Sequence, residues 1–339
     1  MAAGIAAAAV LFLAVAAQAS TPVPVRATPA NEMHPAAGYN WRKGIEFVTW
    51  SQSRHGARGT FDAYLQRRGG PVVKLNKRGH AWAGDVDVAQ RLAVYQQVRG
   101  DDSRIMLYNW VTKQRTAAPK AVNTAAWEFA PRIQGDYLLF GRQTWQTSPD
   151  TYEVLLYNRA DGTLKTLDMI PHGYTFGATI PGQVNGDWVV WAKATDNWAT
   201  QRVYRYNLAT GVTDEVPVAT GRIDYAPSVT PDGTVYFVRS GAGCGDNVRI
   251  LRFTGEAGTS TARVYALPAG RQIDSTYAEE QPSGPPQLLF SRLGCDSGNW
   301  NIYRLLIDDA APQATVTSHS APAGSPMPFA PWANQQLHH

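Results

Sequence analysis

Six times along the chain an apolar strand ends on an aromatic residue. These are "EFVTW" at Trp50, "LAVY" at Tyr95, "YLLF" at Phe140, "WVVW" at Trp191, "TVYF" at Phe237 and "QLLF" at Phe290. The steps between them are 45, 45, 51, 46 and 53 residues. A second strand follows each, as "FDAYL", "RIMLYN", "EVLLYN", "RVYRYN", "VRILRF" and "NIYRLL". A short strand usually precedes the aromatic one, joined to it by a tight turn at Gln134-Gly135, Asn185-Gly186 or Asp232-Gly233. Asn-Gly and Asp-Gly are strong hairpin signals because both turn residues must take a positive φ. Each unit therefore carries about four short antiparallel strands, and a self-similar period of about 40–50 residues with that content predicts a β-propeller. Six units make an all-β, six-bladed ring. A lone four-stranded sheet cannot bury both faces, so radial stacking of the blades is what forms the core.

The ends of the repeat set the expected domain limits. Residues 1–19, "MAAGIAAAAVLFLAVAAQA", have the short apolar run and the small-x-small end of a secretory signal, with no basic residue ahead of the run. That run is too short for a permanent membrane anchor. Residues 20–40 are rich in Pro, Thr and Ala and read as a leader, which leaves 41–339 as one propeller domain. "PFAPWA" (328–333) resembles "EFAPRI" and "DYAPSV", so the C-terminal segment is expected to close the ring as the innermost strand of the first blade.

Cys244 and Cys295 are the only cysteines. In an exported chain they predict one disulfide. Both fall between the second and third strands of adjacent units, where neighbouring loops come within bonding reach. A net charge of +4 with no basic block argues against nucleic-acid binding.

"GDWVVWAKATDNWATQRVYRYNLATG" (186–211) resembles the repeat of TolB-type six-bladed propellers, carried best by Tyr108-Asn109, Tyr157-Asn158 and Tyr206-Asn207. The resemblance covers about 270 residues and implies an exported, non-catalytic scaffold that binds macromolecules or ligands. No separate N-terminal α/β domain accompanies it, so the resemblance does not extend to the periplasmic translocation role.

Motifs for chemistry are sparse. The sequence holds no G-x-S-x-G, H-E-x-x-H, P-loop or sialidase Asp-box. No catalytic residue, metal or cofactor is assigned. The histidines are scattered, and His34 falls in the expected leader. Loop aromatics Trp145, Trp198 and Trp300, with Trp127 at a blade junction, are candidates to stack on a sugar or anchor a partner. Glu128, Asp224 and Glu279 open innermost strands, where carboxylates can approach the central funnel. The expectation is a monomeric, secreted or envelope (periplasmic-side) binding scaffold for a protein or glycan, without nucleic acid or a transmembrane anchor. The alternatives are a carbohydrate-active hydrolase or lyase using funnel carboxylates, and a structural cell-surface module.

Overall fold

The computed structural model describes residues 21–28, 30–40, 45–53, 60–77, 79–144, 150–172, 178–195, 200–219, 221–241, 243–255, 261–279, 286–295 and 300–307. Among them there is no helix. Twenty-four strands form six four-stranded antiparallel sheets, the blades I–VI. The innermost strands are Glu32–Asn40, His80–Asp87, Trp127–Gln134, Ala178–Asn185, Ile223–Val229 and Arg271–Glu279, in blade order. Each touches the next and the last touches the first, so the ring is closed.

The aromatic that ends each repeated strand lies between blades. Trp50, Tyr95, Phe140, Trp191, Phe237 and Phe290 are all at most 1% exposed. They sit one per blade in the inter-blade clusters, which is why the period was visible in the sequence. In each hairpin dipeptide the glycine alone is left-handed: Gly135, Gly186 and Gly233 have φ of +55°, +58° and +87°, and the residue before each does not.

Ring closure differs from the sequence expectation. The innermost place in blade I is filled by Glu32–Asn40, and Val23–Arg26 pairs antiparallel with Trp300–Leu306 as the outermost strand of blade VI. Residues 23–40, read as a leader, are thus the clasp, and 328–333 lie outside the described residues. The Pro content misled for a physical reason. Pro24 sits in an edge strand and Pro35 in a bulge, the two places where a sheet tolerates a missing N–H. Arg26 fastens the clasp, pairing with Glu32 at 3.0 Å and lying over Trp50 of blade I at 4.5 Å.

The Cys244–Cys295 disulfide is formed, with Cα atoms 6.1 Å apart, and ties blade V to blade VI. No described helix is long and apolar enough to cross a membrane.

Candidate functional site

Every innermost strand breaks register with its neighbour midway along, at His34-Pro35, Gly84-Asp85, Ala130-Pro131, Gly182, Ala226-Pro227 and Asp274-Ser275. A bulge bends the strand and re-aims the side chains beside it. Residues of five of the six bulges line a cavity of ≈ 70 Å³, and blade II contributes Trp82 and Ala83 beside its bulge. In blades I, III and V the bulge residue before proline is left-handed, with φ of +50°, +46° and +49° at His34, Ala130 and Ala226. Such a conformation costs about 1–2 kcal/mol in an L-residue and persists where the surroundings over-determine it.

What over-determines it is the partner blade. The Pro131 carbonyl leans onto Gly84, where a Cβ would stand 2.2 Å from the oxygen. The Pro227 carbonyl leans onto Gly182 at 2.4 Å in the same sense. Two of the three junctions thus pair a glycine with Ala-Pro. The third pairs Asp274 of blade VI with His34-Pro35 of blade I. His34 Nε2 stands 3.2 Å from Asp274 Oδ2, with the Asp274 side chain fully buried. Neither Asp274 oxygen has a hydrogen-bond partner beyond that contact, and both residues line the cavity. Trp82, Phe129, Pro181 and Pro227 supply apolar walls.

A second charged pair reaches the same space. Arg132 lines the cavity and donates to Asp85 at 3.1 Å. Burial pushes the Asp85 carboxyl up to about 7 despite that guanidinium. His34 Nδ1 also lies 3.4 Å from Ser51 Oγ, which gives a Ser-His-Asp sequence of contacts. Ser51 is fully buried, however, and its Oγ already accepts from the Ala83 N–H at 2.8 Å. A substrate carbonyl cannot reach it, so the row holds the imidazole in place rather than arming a nucleophile.

Below the bulges the axis opens into a mouth of ≈ 930 Å³ on the face of the inner hairpins. Three of its polar residues, Gln134, Asn185 and Asp87, are spent on joining blades. Gln134 donates to Asn185 at 2.7 Å and accepts from the Gly186 N–H at 2.6 Å. Asn185 donates to the Val229 carbonyl and Asp87 accepts from the Gly135 N–H.

The carboxylates and aromatics singled out in the sequence lie elsewhere. Glu128 Oε1 accepts from Thr124 N–H and Oγ and from Arg142 Nε, and its side chain is buried. Asp224 takes both arms of Arg239 at 2.6 Å. Burial raises both carboxyls above their ordinary range. Neither lines an axial cavity, and the two are held separately in blades III and V. Trp127 and Trp300 open strands and are 7% and 4% exposed, packed against Phe129 and Tyr152 and against Met33 and Phe61. Trp145, Trp198 and the side chain of Glu279 lie outside the described residues. His34, Asp274 and Arg132 were missed. One signal was available: Glu32-Met-His-Pro, Glu128-Phe-Ala-Pro and Asp224-Tyr-Ala-Pro are the same element two blades apart, with histidine in one copy only.

No protein-family model and no curated protein matches the sequence. Solved structures do match in shape. Putative TolB from Agrobacterium tumefaciens is 14% identical at a TM-score of 0.51, over 83% of this chain and 92% of that one. A neuraminidase-like protein of A/flat-faced bat/Peru is 10% identical at 0.52, over 86% and 94%. TolB from Acinetobacter baumannii is 13% identical at 0.48, and the match spans 79% of this chain but 65% of that one. In fold, the chain is a TolB-like six-bladed β-propeller.

Proposed function

We propose that the chain is an exported binding module that seats a small polar ligand, or the tip of a larger one, at the His34–Asp274 pair on the ring axis. One observation carries the reading. The blade-junction element is glycine against Ala-Pro at two places and a buried aspartate against His-Pro at the third, where the pair faces a cavity. A structural need for the bulge is met by the first form alone. Placing a buried carboxylate and an imidazole there adds desolvation cost without adding closure, so a ligand-binding role accounts for them better. The disulfide and the apolar N-terminal run support export to a secreted or envelope location.

A lyase or hydrolase using His34 as proton acceptor is the second reading, favoured by the contact of His34 with Asp274. A glycan and small-molecule binding screen with product analysis on every hit separates the two. Binding without turnover, lost in Asp274→Asn, is the expected result. Turnover that disappears in His34→Ala would replace binding with catalysis.

A further inference from the structure

The seam between blades I and II carries a groove of ≈ 930 Å³ that is separate from the axis but shares the Val88-Ala89 turn with the axial mouth. Three turns, one from blade I and two from blade II, form its walls. Arg67 and Arg68 come from the end of the third strand of blade I; Arg91 comes from the inner hairpin of blade II and Lys113 from its outer turn. All four are exposed cations, and no carboxylate lines the groove. The side chains of Arg67, Arg91 and Lys113 make no hydrogen bond or ion pair among the described residues. Arg91 and Lys113 both sit at φ of +61°, a strained conformation at a turn tip that presents their side chains from the turn. One sign of charge in a concave surface concentrates potential there and draws the opposite charge.

The floor is apolar. Trp110 lies on Phe47 with ring centroids 4.6 Å apart, and Val73, Val88 and Val111 flank it. Val111 is 56% exposed. Apart from the four cations, no side chain with a hydroxyl, amide or carboxylate lines this groove. A neutral sugar needs such groups for its hydroxyls, so a glycan is poorly served. Phe47 and Leu65 are buried beneath, which leaves Trp110 and the flanking valines as the apolar surface. We infer that this groove docks an acidic peptide segment of a partner protein, with an apolar side chain on Trp110 and carboxylates on Arg67, Arg91 and Lys113. Arg forks carboxylates in a fixed bidentate geometry, and an apolar anchor ringed by charge is how such short segments are held.

The test uses the intact protein and a fluorescein-labelled peptide, EEFEEL, followed by anisotropy. Affinity should fall steeply with salt. It should fall at least tenfold in Arg67→Glu/Lys113→Glu and severalfold in Trp110→Ala, with the melting curve of the charge-reversal variant unchanged because these side chains hold nothing in place. The peptide KKFKKL should not bind. Equal affinity for EEFEEL in wild type and the charge-reversal variant would overturn the proposal. So would tighter binding of a sulfated oligosaccharide or of phosphatidylglycerol vesicles than of the peptide.

Discussion

The junctions between blades II and III and between blades VI and I are built on one plan and serve different ends. At II/III, Gly84 admits the Pro131 carbonyl and Ala130 takes the left-handed turn. At VI/I, Asp274 replaces the glycine and His34 the alanine, and their 3.2 Å contact faces the axial cavity. The fold asks for close backbone approach at both. Both carry ionisable groups, Asp85 with Arg132 at II/III and Asp274 with His34 at VI/I; only at the second do they replace the bulge glycine and the alanine before proline, and that difference marks where function departs from architecture.

The comparison breaks most severely at the plain junction. Gly84→Ala places a methyl 2.2 Å from a carbonyl oxygen that is backbone and cannot swing away. Its unfolding free energy should fall by about 3 kcal/mol, the upper end of what overpacking costs, because backbone must move. Chemical denaturation checks this. A comparable loss is expected from Asp224→Ala. That variant strands Arg239, whose fork it accepts at 2.6 Å, and breaking a buried pair costs about 3–5 kcal/mol. If Asp224 instead served a ligand, its removal would leave stability intact and abolish binding.

Next comes the disulfide between blades V and VI. Cys244→Ser/Cys295→Ser should lose about 4 kcal/mol, the chain-entropy value for a loop closed over 51 residues. Reductant should shift the wild-type melting curve and leave the variant unmoved.

A smaller effect distinguishes the second ion pair on the axis. Asp85 has its carboxyl raised to about 7 by burial, above the 3.8 of the unfolded chain. The native state then holds a proton that the unfolded state has released across that window. Asp85's contribution to stability is therefore complete below pH about 4 and is lost as pH rises through about 7. Melting temperature measured from pH 5 to 8 should decline in wild type and decline less in Asp85→Asn. Equal slopes would contradict the assignment.

The period of the fold was legible because six aromatics with one job recur at one spacing: Trp50 and its five equivalents are buried between blades. The disulfide was legible because that alignment placed both cysteines in equivalent loops. The clasp was hidden by Pro24 and Pro35, which look like leader residues and are edge and bulge residues. The pocket was hidden because His34 and Asp274 sit at opposite ends of the chain and meet only once the ring closes. The basic groove was hidden for the same reason on a smaller scale. Arg67-Arg68, Arg91 and Lys113 form no run in sequence and come together across a blade seam. Glu128 looked like a funnel acid because it opens an inner strand. Its position is set instead by Thr124 and Arg142 at the blade's own edge.

The most direct test makes the VI/I junction a copy of the plain one. His34→Ala/Asp274→Gly should fold and melt close to wild type, because two junctions of the same molecule already use that pairing. In a thermal-shift screen of glycans and small polar compounds, at least one should raise the wild-type melting temperature and leave the double variant's unchanged. If every stabilising compound shifts both proteins equally, the His34–Asp274 pair is not where this propeller binds.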